Sequence, residues 1–145
     1  MNATLRRASR ANPRVALLAA LLCWSGGRAA AEVPEFRQGV WEYESTVGEK
    51  KFAAKECIDP TRELRQRDTT LEKIGCKLSS STQARTYTTI AQCTVKLPSG
   101  FASWTTTSIL TAESDSAYRF ETHEVRNGRT RDEVITAHRV GDCQP

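Results

Sequence analysis

The sequence predicts an all-β domain with one short helix: an antiparallel meander of about seven strands, forming a curved sheet or a small barrel, held by two disulfides. Three observations predict it. Stretches rich in threonine, aromatic and β-branched residues recur with turn signals at short intervals, above all from Cys76 onward. Two of the turns, Gly48-Glu49 and Asn127-Gly128, have the chemistry of two-residue hairpin turns. Four cysteines remain once an export segment is set aside, and a small exported domain with four cysteines reads as a disulfide framework.

The export segment comes first. Arg6, Arg7, Arg10 and Arg14 precede an uncharged apolar run, VALLAALLCW, and SGGRAAA then ends in small residues, with Ala29 and Ala31 placed for cleavage before Glu32. The apolar run from Val15 to Trp24 is too short to span a bilayer, which takes about 20 residues. Residues 1–31 are therefore expected to be a cleaved signal peptide, and 32–145 a single periplasmic domain. The segment carries five arginines and no acid, so 16 of the 21 basic residues face all 17 acidic ones in the mature chain. Its net charge falls to about −1, and no reason remains to invoke nucleic acid or an anionic membrane as partner.

GVWEYESTV, Gly39 to Val47, alternates: Trp41, Tyr43 and Val47 fall on one face and Glu42 and Glu44 on the other. Glycine at the first central place of Gly48-Glu49 suits a type II′ turn. Folding about it sets Glu42 opposite Lys55, Tyr43 opposite Ala54 and Ser45 opposite Phe52, so one face becomes apolar and the other gains an ion pair. Asp59-Pro60 reads as an N-cap followed by proline at the first helical position. The helix is expected to reach about Arg67 and give way to a loop, with Leu64, Leu71 and Ile74 toward the core and Arg62, Arg65 and Arg67 on a solvated face.

Cys76 to Ser81 and Thr86 to Lys96 form a hairpin around STQAR. Leu97-Pro98-Ser99-Gly100 is a turn with proline second and glycine fourth, and FASWTTTSIL leads to a further turn at Glu113-Ser114-Asp115-Ser116. Asn127-Gly128 calls for a type I′ turn, with positive φ at both residues. Pairing about it places Phe120 opposite Ile135, Tyr118 opposite Ala137, Glu124 opposite Arg131 and His123 opposite Asp132.

This register also weighs the chemistry. His123 with Asp132 could be half of a Ser-His-Asp arrangement, which makes a hydrolase the alternative reading. A cross-strand pair near a hairpin end, without a nucleophile elbow, reads instead as a solvated charge pair. His138 lies opposite Ala117 and has no predicted carboxylate neighbour. No phosphate loop, metal-binding helix motif or C-x-x-C pair is present, so neither a cofactor nor a metal site is expected. No catalytic residue is assigned.

Cys76 and Cys93 are equidistant from the centre of their hairpin and should face each other, leaving Cys57 for Cys143. A helix carrying the chain from one end of the sheet to the other would place the two pairs at opposite ends. The alternative, Cys57–Cys76 with Cys93–Cys143, would require Cys143 to reach the far end.

Gly39-Val40-Trp41-Glu42, Cys57 followed by a proline segment, Cys76, Cys93 and the ending Gly141-Asp142-Cys143 together resemble the DUF3617 family, small exported bacterial proteins of unknown function. The resemblance runs from about Phe36 to Cys143. It implies export and the cysteine pairs, and carries over no catalytic residue. The family tends to place an aromatic where this chain has Arg139. The expected function is that of a non-catalytic envelope domain binding a small apolar ligand or a protein partner. Trp41, Tyr43, Phe52, Trp104, Tyr118 and Phe120 are the candidate lining of a ligand cavity, against the plainer reading that they fill an ordinary core.

Overall fold

The structure, a computed structural model, describes residues 31–144. The expected signal peptide therefore lies outside the described residues except for Ala31. Seven strands and one helix follow in the order β1 (Gly39–Val47), β2 (Lys50–Ile58), α1 (Pro60–Lys73), β3 (Cys76–Gln83), β4 (Thr86–Leu97), β5 (Gly100–Ser114), β6 (Ala117–Arg126) and β7 (Arg129–Gly141). All pairings are antiparallel, and the strands lie in the order β2-β1-β7-β6-β5-β4-β3. The barrel alternative is excluded: β2 and β3 are the two edges of an open sheet and do not pair with each other.

The hairpin registers are those read from the turns. Glu42 faces Lys55, Cys76 faces Cys93, Phe120 faces Ile135 and His123 faces Asp132. Gly48 has φ +59, while Asn127 and Gly128 have φ 52 and 72, as type II′ and type I′ turns require. The β3–β4 turn is tighter than expected. β3 runs on from Ser81 to Gln83 while β4 starts at Thr86 as expected, and Ala84 in the remaining turn takes φ 52, a conformation that costs a residue bearing a Cβ.

The α1 crossover links the two edges, starting beside the end of β2 and delivering the chain to the start of β3. Asp59 caps it, its carboxylate accepting from the Arg62 amide at 3.1 Å. The helix does not stop at Arg67 but runs on to Lys73. Thr69 and Thr70 are weak helix formers, yet their hydroxyls donate to the Arg65 and Gln66 carbonyls at 3.0 and 2.8 Å, so they turn no polar group away from the helix. Leu71 packs against the Cys76, Ala91 and Cys93 cluster, and this burial outweighs local propensity. Ile74, expected in the core, is instead the C-cap residue and exposed.

The main core lies on the helix-bearing face of the sheet. Trp41, Leu110, Tyr87, Tyr118 and Ala137 come from the strands, and Val33 and Phe36 from the segment preceding β1. Trp41 is wholly buried between Phe36, edge-on at 6.0 Å, and Tyr118, tilted at 5.5 Å. Its Nε1 donates to the Arg37 carbonyl at 3.1 Å, which satisfies the one polar atom of the ring. Buried Thr61 ties the preceding segment to α1: its hydroxyl accepts from the Phe36 amide at 2.8 Å and donates to the Pro34 carbonyl at 3.2 Å. Cys57–Cys143 and Cys76–Cys93 are the two disulfides, at opposite ends of the sheet as the crossover demands.

Candidate functional site

Between α1 and the β2-β1-β7-β6 side of the sheet lies a cleft of about 450 Å³. Its position follows from the topology. The helix starts beside β2 and leaves toward β3, so it cannot cover the whole inner face of the strands behind it. The floor is built from alternate inward-facing residues: Ala54 and Ile58 of β2, Tyr43 of β1, Ile135 of β7, and Tyr118 and Phe120 of β6. Pro60, Glu63, Leu64 and Arg67 form the helical wall, and Glu56 stands at the β2 side.

Tyr43 and Tyr118 are held apart in the sheet by one strand, with Ala137 between them in register. That small buried residue leaves room for the two phenols to approach across it. Burial is the main reason the Tyr43 hydroxyl titrates well above the ordinary phenol range, and Tyr118 and the carboxylates of Glu63 and Glu56 add to the effect. Burial also pushes Tyr118 up to about 12, with Glu63 adding to it and the interaction with Tyr43 working against it. Both rings therefore stay neutral at physiological pH and present O–H groups that can donate as well as accept.

The helical wall is braced. The Arg67 guanidinium lies 4.9 Å from the centre of the Phe120 ring and pairs with Asp68 at 2.9 Å. Asp68 in turn accepts from the Tyr87 hydroxyl at 2.8 Å. Arg67 is thus not on a solvated face with Arg62 and Arg65. Its orientation depends on a strand, β6, with which the helix has no sequence proximity, and the sequence alone offered only its spacing from Glu63 on one side of a helix.

Of the six aromatics expected to line a cavity, Tyr43, Tyr118 and Phe120 line this cleft together. Trp41 is core beneath it. Phe52 shares a face of β2 with Ala54 but stands 57% exposed toward the hairpin end. Trp104 packs beside the Cys76–Cys93 disulfide, with Arg126 5.2 Å from its ring centre. The cleft residues that sequence reasoning missed are Ala54, Glu56, Ile58, Ile135 and the helical wall.

The His123–Asp132 pair forms as the register requires, with 2.5 Å between Nδ1 and Oδ1, on the face away from the helix. Both side chains are more than half exposed. The depression beside them is lined by Thr107, Ile109, Glu121, Thr122, Glu133 and Val134 and contains no serine or cysteine. His138 departs from expectation. Its Nε2 lies 3.3 Å from Glu42, because β7 pairs with β1 as well as β6 and sets the two residues opposite each other. Glu42 also accepts from Lys55 at 2.9 Å, and the hydrogen bond and charge of that lysine hold its carboxyl below the usual range, with His138 adding to the effect. Among the described residues there is no group of three or more metal-ligating side chains, and no helix long and apolar enough to cross a membrane.

Residues 36–143 match the model of the family DUF3617, described as a protein of unknown function. No curated protein and no solved structure matches the chain.

Proposed function

The chain belongs to the DUF3617 family, and from its cleft we propose that it is a non-catalytic binding domain for a small, largely apolar ligand. One observation carries this reading. The space between α1 and the sheet is left open although it is floored by tyrosine, phenylalanine and isoleucine, and its 450 Å³ falls within the range of small-molecule sites, about 300 to 1,000 Å³. An ordinary core would have closed over these residues, because interiors pack as densely as organic crystals.

The apolar body of such a ligand would lie on Tyr43, Phe120, Ile135 and Leu64. A polar end would meet the neutral hydroxyls of Tyr43 and Tyr118, or Arg67 at the wall. The two disulfides support an oxidising compartment, and together with the export segment ending at Ala31 they favour the periplasm.

The test is displacement of an environment-sensitive apolar dye, followed by native mass spectrometry of protein recovered from the bacterial envelope. Ala54→Trp fills the cleft from an exposed edge strand and should leave the fold intact. Saturable dye binding weakened about tenfold or more by this substitution is expected. No saturable binding, or equal binding by the variant, overturns the proposal.

A further inference from the structure

Apart from the cleft, the two ends of the sheet differ in chemistry. The end that carries the β1–β2, β4–β5 and β6–β7 turns and the α1–β3 junction reads EKKF (49–52), EKIGCK (72–77), KLPSGF (96–101) and RNGRTR (126–131). With Glu124, which faces Arg131 across the last hairpin, these stretches hold eight cations and three acids. Each of the eight cations is exposed, and none forms an ion pair among the described residues. Three acids at the opposite end are in use: Asp59 caps α1, Glu35 pairs with Arg65, and Asp142 pairs with Arg139. The mature net charge near zero thus conceals a separation of charge that only the topology shows.

The same end gathers apolar side chains in water. Of the eight exposed large hydrophobics among the described residues, Phe52, Ile74, Leu97 and Phe101 fall in these four stretches, and Phe101 is the most exposed of the eight at 74%. The hairpin tips are staggered regularly. Val47 at the β1 tip pairs with Glu133, four positions into β7, and Arg126 at the β6 tip pairs with Trp104, four positions into β5. Each tip therefore stands four residues beyond the one before it, and the tips form a stepped rim that rises from the β1–β2 turn to the β4–β5 turn. The β4–β5 hairpin reaches furthest. Residues 100–103 have β4 as partner but no β6 partner, and Leu97, Pro98 and Phe101 stand at its end.

We propose that this rim docks on the surface of an anionic phospholipid bilayer, with Leu97 and Phe101 entering the headgroup–acyl boundary and the surrounding lysines and arginines contacting lipid phosphates. Charge complementarity and the interleaving of cations with exposed apolar tips select this occupant. Interfacial anchors combine those two features, whereas a soluble anion would use the cations and leave the apolar tips in water. Tight turns at Gly48, Pro98-Ser99 and Asn127-Gly128 present the tips from an ordered sheet.

The test is flotation of residues 32–145, which include every strand, the helix and both disulfides, with vesicles of phosphatidylethanolamine alone or mixed with phosphatidylglycerol. Binding is expected to the mixed vesicles, stronger than to the zwitterionic ones, and lost at about 0.5 M salt as charges are screened. Leu97→Ser with Phe101→Ser should weaken it about tenfold or more, since both side chains are exposed and their loss leaves the core alone. Arg129→Glu with Arg131→Glu, on a different hairpin, should weaken it by at least about fivefold per position. Equal affinity for both vesicle types, or full binding by both double variants, overturns the proposal. So does a dimer in solution that the Leu97/Phe101 variant abolishes while vesicle binding persists, which would make the rim a contact between two copies.

Discussion

Arg139 lies against Gly39, and the two positions depend on each other. The Arg139 Nε donates to the Gln38 carbonyl at 2.9 Å, and the guanidinium also contacts Asp142. A Cβ at residue 39 would overlap both Arg139 and the Gly141 carbonyl. Arg139 reaches this place through an irregularity in the β1–β7 ladder, where Val40 pairs with Gly141 but Trp41 pairs with Arg139, so that Val140 is passed over. Its side chain is only 12% exposed. Arg139 is therefore a packed strand-end residue, stabilised by a carbonyl and a carboxylate.

Gly39→Ala is accordingly expected to destabilise the domain by about 1 to 3 kcal/mol, the usual cost of overpacking. The flexible guanidinium could move aside, but the Gly141 carbonyl is backbone, two residues from the Cys57–Cys143 crosslink. Urea unfolding of the variant checks this. Stability equal to wild type would show that the strand ends can separate freely.

Gly128→Val should cost about 1 kcal/mol or more, because Gly128 sits at φ 72 and a β-branched residue rarely takes that conformation. Chemical denaturation measures it. An unchanged midpoint would mean that the β6–β7 register survives without its type I′ turn.

How much was legible in the sequence divides along one physical line. Hairpin registers such as Glu42–Lys55 and Phe120–Ile135 could be read because a two-residue turn fixes both the pairing and the face of each side chain. The β1–β7 pairing has no turn to specify it and joins residues far apart in the chain, so the His138–Glu42 contact was not accessible. Helix length failed for a related reason: Leu71 is stabilised by a disulfide cluster that propensity cannot see. The cleft was half legible. Tyr43, Tyr118 and Phe120 come from alternating strands, whereas Leu64 and Arg67 depend on where the crossover carries α1.

Removing Cys57–Cys143 should cost more than removing Cys76–Cys93. The first closes a separation of 86 residues and the second one of 17, which the loop-closure model values at about 4 to 5 and about 3 kcal/mol. Paired alanine variants, compared by thermal and urea unfolding, check the order. Buried Cys76 and Cys93 add a packing loss of their own, so a larger effect there would point to core packing rather than chain entropy.

Thr61→Val should release the segment before β1. The substitution keeps the shape but leaves the Phe36 amide without its acceptor, a cost of about 1 to 3 kcal/mol for a buried donor. Faster amide exchange confined to Val33–Arg37, with the sheet still protected, is the expected signature. Exchange unchanged at Phe36 would mean that the packing of Phe36 on Trp41 and Tyr118 suffices without the hydrogen bond.

Alkaline pH should unfold the domain through its buried phenols. An unfolded tyrosine ionises near its ordinary value of 10, whereas burial raises Tyr118 to about 12 and Tyr43 further. Between those values the unfolded chain has released protons that the folded one retains, so stability falls as pH rises. The contribution is fully present below about pH 10 and is lost as pH climbs from there through the folded values. Tyr118→Phe removes one of the two groups while keeping its ring against Trp41 and Phe36, and should move the alkaline unfolding midpoint upward. Tyrosinate absorbance and far-UV circular dichroism, followed together, separate the causes. In wild type the last phenols should ionise in step with loss of the sheet. If all three tyrosines titrate near pH 10 with the sheet intact, the phenols that floor the cleft are open to water rather than held neutral by burial.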